Sequence, residues 1–445
     1  EISSDLFAPR RNGATVAALR EADRVQFHRE MSRELPTFDH ELLREASAAL
    51  EIAVLDLEID RLADDPERRA PVRGAAADAF RLLRALPLPE TAMERGTHLL
   101  RASALAVIGD RGADAARWLR ALESEGVWPE LPLASGNWGQ RCQATLTDTW
   151  LRLMRKKGWD DRDAVLAREA ALRGAQQDFE RTYLHSFDSL AAKRSALELI
   201  AIYHLAKAAD VLAHFITDGA VEGNHQVQQL LDSHFDRALA ACDTARLIEL
   251  DPMTRLLARA AAQMVENSIW TVTRAVNSRV TDFVRTLVGR GRGDRALFDV
   301  LPPQRRTLAE RGLLGSSRRA VVVSLPTSSG KTLIAQFRIL QALNQFEDRK
   351  GWVAYLAPSR ALVNQVTRQL RRDLAPLGLV VERVSPAMEV DGVEAGVLTE
   401  SRDEARFRIL VATPEKFDLM LRQGWEVKIG RPLTLVVVDE AHTLQ

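Results

Sequence analysis

The residues best suited to chemistry lie in Leu325-Pro326-Thr327-Ser328-Ser329-Gly330-Lys331-Thr332. The last three match the phosphate-loop pattern G-x-x-x-x-G-K-[ST], with Leu325 standing where the first glycine would be. Backbone N–H groups from Ser328 to Lys331 can wrap a β-phosphate, helped by the positive end of a helix dipole. Gly330 lets the backbone approach closely, Lys331 brings a point charge to the β- and γ-phosphates, and Thr332 can ligate Mg²⁺. Pro326, Thr327, Ser328 and Ser329 complete the expected cradle. About 110 residues on, Leu435-Val436-Val437-Val438-Asp439-Glu440 is an apolar run ending in two carboxylates. Asp439 is expected to hold the Mg²⁺ shell and Glu440 to orient and activate an attacking water. Neither motif is decisive alone. Their order, with a strand before each and a helix after the first, makes ATP and Mg²⁺ the expected cofactors.

Alternating strands and helices must position these groups. Ala320–Ser324, Trp352–Leu356, Leu379–Val384, Arg408–Ala412 and Leu433–Val438 read as five strands, with helices from Lys331 and from about Arg360. That grammar predicts βαβ units around a parallel sheet. The last strand is apolar enough to be buried on both faces.

Before it, from about Thr15 to Leu287, the text is helical. Phe38–Leu62 carries Leu42, Leu43, Ala46, Leu50 and Ala53 near helical spacing, and Leu197–Ile216 is apolar on most sides, which predicts a helix near a core centre. Asp160-Asp161 and Asp251-Pro252 read as helix starts, while Pro87–Pro89, Gly126–Gly139 and Asp218–Asn224 read as breaks. Gly289-Arg290-Gly291-Arg292-Gly293 cannot continue a helix cheaply. The expected division is therefore a helical accessory domain over 1–288, a Gly/Arg linker over 289–296 and an α/β domain over 297–445.

Composition bounds the partners. The 445 residues suggest about three domains. Basic and acidic residues number 61 each, so uniform polycation binding to nucleic acid is excluded and any such contact is local. Cys142 and Cys242 are too few for a disulfide scaffold or a Cys-rich zinc site. They read as small core residues in a reducing, cytoplasmic setting. No run of about 18 apolar residues predicts a membrane span. The start at Glu1 without Met places the N-terminus upstream in this reading.

Asp439-Glu440-Ala441-His442 is the DEAH form of motif II in superfamily 2 helicases, and Pro326–Thr332 resembles their motif I. Pro358-Ser359-Arg360-Ala361-Leu362 is similar to motif Ia, and Thr413-Pro414-Glu415-Lys416 to motif Ib. Leu301-Pro302-Pro303-Gln304 resembles the Q-type element of the Ski-type and archaeal DNA-repair branch. The resemblance covers residues 297–445 and implies a RecA-like fold. By the same resemblance Gln304 reads the adenine edge, and Pro358, Ser359, Arg360, Thr413 and Pro414 meet a bound strand. His442 couples the two sites.

The chain stops three residues after His442, so motif III, the second RecA-like domain and its arginine finger are not in it. The reading is the N-terminal part of a longer protein, and the 445-residue piece is expected to turn ATP over very slowly. The expected activity is that of an ATP-dependent helicase or translocase acting on DNA, with RNA second. Fold-level analogy suggests anti-phage defence or genome maintenance as its setting and a protein partner for the helical domain. Two other readings stand beside it: a P-loop ATPase switch or duplex translocase without strand separation, and a structural partner-binding protein. Elsewhere, Arg152, Arg155, Lys156 and Lys157 read as a solvated helix end. His204, His214, Tyr203 and Phe298 read as core or boundary residues, and the E-x-K spacing at Glu426–Lys428 as incidental.

Overall fold

The computed structural model describes residues 10, 12–59, 66–135, 138–182, 189–221, 226–273, 276–290, 296–310, 313–315, 320–326, 330–384, 407–424 and 429–441. Where length suggested about three domains, the chain forms two compact units: 1–268 with 291–298, and 269–290 with 299–445.

The first unit is built from α1 (Gly13–Glu30), α2 (His40–Ile59), α3 (Pro66–Ala85), α4 (Ala92–Ile108), α5 (Gly112–Ser124), α6 (Trp138–Arg155), α7 (Trp159–Thr182), α8 (Ser189–Asp218), α9 (Val227–Ala245) and α10 (Leu250–Asn267). Local chemistry sets several of these ends. Thr91 caps α4 by accepting the Glu94 N–H at 3.3 Å, and its hydroxyl bonds the Glu94 carboxylate at 2.7 Å, a variant of the capping box. Gly109 ends the same helix where a Cβ would sit 2.5 Å from the Ala77 backbone nitrogen, so the close crossing of α3 and α4 requires glycine. α8 packs along α9 and touches α6, α7 and α10. Leu205, Ala208, Ala209 and Leu212 are fully buried in it, as its apolar composition predicted. Leu190–Asp218 within it is long and apolar enough to cross a membrane, yet 67% of its most apolar stretch is buried inside the protein.

The second unit is a parallel sheet of four strands, β1 (Trp352–Leu356), β2 (Val380–Arg383), β3 (Phe407–Ala412) and β4 (Leu433–Val438), in the order β2-β3-β1-β4. Around it stand α11 (Ser278–Val288), α12 (Lys331–Gln345), α13 (Arg360–Leu374) and α14 (Pro414–Arg422). Every residue of β1 is buried, as befits a strand flanked on both edges. Trp352, Ala354, Leu356, Leu410, Ala412, Phe417 and Met420 form one core cluster. At about 1.5–3 kcal/mol for each large apolar side chain removed from water, such burial is the main force holding the layers together.

Three details depart from expectation. Ala320–Ser324, read as the first strand, forms no strand and has no ladder partner among the described residues, and Val322 is 95% exposed. β-branched residues favour a strand only where a partner and a face to cover exist. Leu433–Val438, expected to be buried on both faces, is the outer strand of the described sheet, with Val436 and Val438 40% and 39% exposed. The helix α11, which lies on the helical side of the expected 289–296 boundary, packs in the second unit. Its Phe283 ring meets Phe337 of α12 edge-on, centroids 5.4 Å apart, and Asn277 bonds Gln341 at 2.9 Å. Just after α11, Arg290 pairs at 2.8 Å with the buried Asp373, which also accepts from Gln336 of α12 at 2.8 Å.

Candidate nucleotide-binding site

The site assembles at the C-terminal ends of β1 and β4 and the N-terminus of α12. Gly330 opens α12 at φ +75°, a left-handed conformation that favours glycine, and a Cβ there would lie 2.3 Å from the Gln304 amide nitrogen. The sequence therefore needs glycine at this point twice over. Lys331, the first residue of α12, turns its ammonium onto Glu440, with Nζ 3.1 Å from Oε1. Glu440 itself sits at φ +48° immediately after Asp439.

Asp439 continues the β4 ladder by donating its N–H to the Leu356 carbonyl at 2.8 Å. That bond fixes the carboxylate beside β1. Its Oδ2 accepts from the Tyr355 hydroxyl at 2.9 Å, and its Oδ1 from the Glu440 N–H at 3.0 Å. Burial, and then the nearby Asp439 carboxylate, hold this phenol well above its usual ionisation range. Thr332, second residue of α12, and Asp439, just after β4, offer a hydroxyl and a carboxylate oxygen. Hard oxygen donors of this kind suit Mg²⁺, and the Lys331 ammonium suits phosphate.

Gln304 is buried in a short helical turn, Pro302–Arg305, and its amide oxygen accepts the Leu301 N–H at 2.9 Å. The amide nitrogen lies against Gly330. Pro326 is exposed. Thr327, Ser328, Ser329 and His442 lie outside the described residues, as do Glu426–Lys428.

The expected strand-binding residues form a second group. β1 and β3 are adjacent, and their ends stay joined by the Ala357 N–H to the Ala412 carbonyl at 3.0 Å. Pro358 and Ser359 follow β1. Ser359 caps α13 by accepting the Leu362 N–H at 3.3 Å, and Arg360 opens that helix, exposed. Thr413 is the N-cap of α14 and Pro414 its first residue. Two helix N-termini therefore follow neighbouring strands at the C-terminal end of the sheet, a geometry suited to phosphates.

Other candidates resolve differently. Arg155, expected in a solvated helix end, is buried. It pairs with Asp161 and with Glu123 at 2.8 Å, and its guanidinium lies 4.4 Å from the Trp128 ring centroid. Arg152 pairs with Asp148 at 2.8 Å and Lys157 with Glu123 at 2.9 Å. These internal partners, invisible in a local charge count, absorb most of the run. His204 meets His234, Nδ1 to Nδ1 at 3.0 Å. Among the described residues no three His, Cys, Asp or Glu side chains gather into a metal cluster. Cys142 and Cys242 are buried and free. Phe298 is buried within the helical unit. The residue that sequence reasoning missed is Tyr355; its signal was one hydroxyl in an otherwise apolar strand.

Comparison with known proteins bears on the second unit. Residues 302–445 match the family model described as DEAD/DEAH box helicase. The ATP-dependent DNA helicase Hel308 of Pyrococcus abyssi is 33% identical over 155 residues, covering 34% of this chain and 19% of that protein. The DExH-box ATP-dependent RNA helicase DExH14 of Arabidopsis thaliana is 32% identical over 131 residues, 28% of this chain and 6% of that protein. Activating signal cointegrator 1 complex subunit 3 of Mus musculus is 30% identical over 131 residues, with the same coverage. The chain thus spans between 6% and 19% of the length of these relatives.

Proposed function

We propose, from the membership of residues 302–445 in the DEAD/DEAH box helicases, that the protein is an ATP-dependent helicase or translocase of superfamily 2. The observation that carries this is the convergence of Lys331, Thr332, Asp439 and Glu440 at one end of the sheet, joined by the 3.1 Å Lys331–Glu440 pair and the 2.9 Å Tyr355–Asp439 bond. In this reading Lys331 neutralises the β- and γ-phosphates. Thr332 and Asp439 hold Mg²⁺, whose bound charge would stabilise the transferring phosphoryl group. Glu440 leaves Lys331 when phosphate arrives and orients the attacking water. Gln304 packs against the phosphate loop and meets the adenine edge, and His442 links this site to the strand-binding edge.

The track is DNA, with the N-termini of α13 and α14 contacting the backbone through Ser359, Arg360 and Thr413. The longer of the reported alignments, to a protein named a DNA helicase, favours DNA over RNA. The helical unit, residues 1–268 with 291–298, acts as the accessory domain that docks a protein partner, and the protein works in the cytoplasm.

The test is the ATPase rate of the protein with no nucleic acid, single-stranded DNA, duplex DNA and RNA, with Glu440→Gln as control. Stimulation by single-stranded DNA that Glu440→Gln removes is the expected result. Stimulation by RNA alone would overturn the DNA assignment. Turnover indifferent to every nucleic acid would overturn the motor.

A further inference from the structure

Tyr355 is 2% exposed, in a strand whose every residue is buried. It pairs in register with Val437, two residues before Asp439. Side chains two apart share a sheet face, so the phenol reaches the Asp439 carboxylate diagonally across adjacent strands. The phenol therefore touches a side chain read above as an Mg²⁺ ligand, 84 positions away in sequence.

We infer that Tyr355 is a positioning residue for the Mg²⁺ site, holding Asp439 in the orientation that ligation requires. The inference rests on the nucleotide reading above and adds a residue to it. Donor arithmetic sets the direction of the bond. An ionised carboxylate only accepts, so the Tyr355 O–H points at Asp439 Oδ2. Asp439 keeps free lone pairs on both oxygens after its bonds to Tyr355 and to the Glu440 N–H. The phenol thus orients this ligand without itself reaching the metal.

The experiment is calorimetric ADP binding to the protein in EDTA and across a Mg²⁺ series, for wild type, Tyr355→Phe and Lys331→Ala. Wild type should bind ADP and bind it more tightly with Mg²⁺. Lys331→Ala should lose binding in both conditions. Tyr355→Phe should match wild type in EDTA and need about 10- to 100-fold more Mg²⁺ for half of the tightening, the usual scale for losing a partner of a metal ligand. An unchanged Mg²⁺ requirement would overturn the inference and leave the nucleotide reading standing. No ADP binding by wild type would overturn both. If Tyr355→Phe lacks a cooperative melt, tyrosine-ring carbon NMR replaces it. The chain has three tyrosines, so Tyr183→Phe with Tyr203→Phe leaves a single signal. That signal should shift with Mg²⁺–ADP and stay in place with ADP alone; a metal-independent signal overturns the inference.

Discussion

Glu440→Gln should tighten ADP binding while it stops turnover. Lys331 and Glu440 satisfy each other at 3.1 Å, with side chains 34% and 33% exposed. Phosphate must displace that carboxylate to reach the ammonium. Partly exposed pairs are screened by water, so the pair is worth about 0.2–1 kcal/mol rather than the larger value that distance alone suggests. Removing the competitor should strengthen metal-free ADP binding by about 1.4- to 5-fold. Loss of repulsion between Glu440 and phosphate acts in the same direction. Calorimetry of ADP at low ionic strength measures the gain, which should shrink in about 0.5 M salt as screening grows. Unchanged or weaker binding by Glu440→Gln at low salt would refute the competition.

Four further outcomes follow from the packing. Asp161→Asn strips the buried Arg155 of its main partner, bonded through Nε at 3.0 Å. It should cost about 3–5 kcal/mol in denaturant unfolding, and a loss below about 1 kcal/mol would contradict the burial argument. Gly109→Val drives a side chain into the Ala77 backbone and should cost about 1–3 kcal/mol by overpacking, read as a lower midpoint in the same assay. Burial pushes the Cys142 thiol up to about 12 and raises Cys242 as well. Native protein should therefore react slowly with a thiol reagent at pH 8, and denatured protein quickly at both sites. Burial, together with His204, Arg237 and Lys207 against an opposing Asp210, lowers His234 to about 4, and burial lowers His204. A histidine depressed on folding favours the neutral state, so the unfolded chain binds protons first. Stability should fall from about pH 6.5 towards pH 4, and His234→Gln should flatten that fall.

Lys331, Thr332, Asp439 and Glu440 were legible because a phosphate loop and a carboxylate at a strand end are local patterns with few other uses. β1 and β3 were legible as short apolar runs between helical stretches. Ala320–Ser324 was not, because its composition states a preference for strand but not whether a partner lies beside it. Arg155 was misread because its partners, Asp161 across a turn and Glu123 on another helix, are set by packing. α11 carries the same helical signal as its predecessors; long-range contacts such as Phe283–Phe337 and Asn277–Gln341 assign it to the second unit. Tyr355 escaped for a similar reason, since register across two parallel strands decides what a hydroxyl meets.

The ion pair between Arg290 and Asp373 bears on how the chain can be dissected. A piece cut at residue 297 would keep every nucleotide-site residue named above, yet it would take Arg290 away from the buried Asp373, leaving it Gln336 and Arg372, and bare the Phe337 ring that Phe283 covers. A weakened buried charge pair and an uncovered aromatic both favour aggregation over folding. The smallest autonomous piece therefore begins ahead of Ser278, and a protease that nicks the glycine-rich segment after Gly291 should leave α11 bound to its unit through washing and gel filtration.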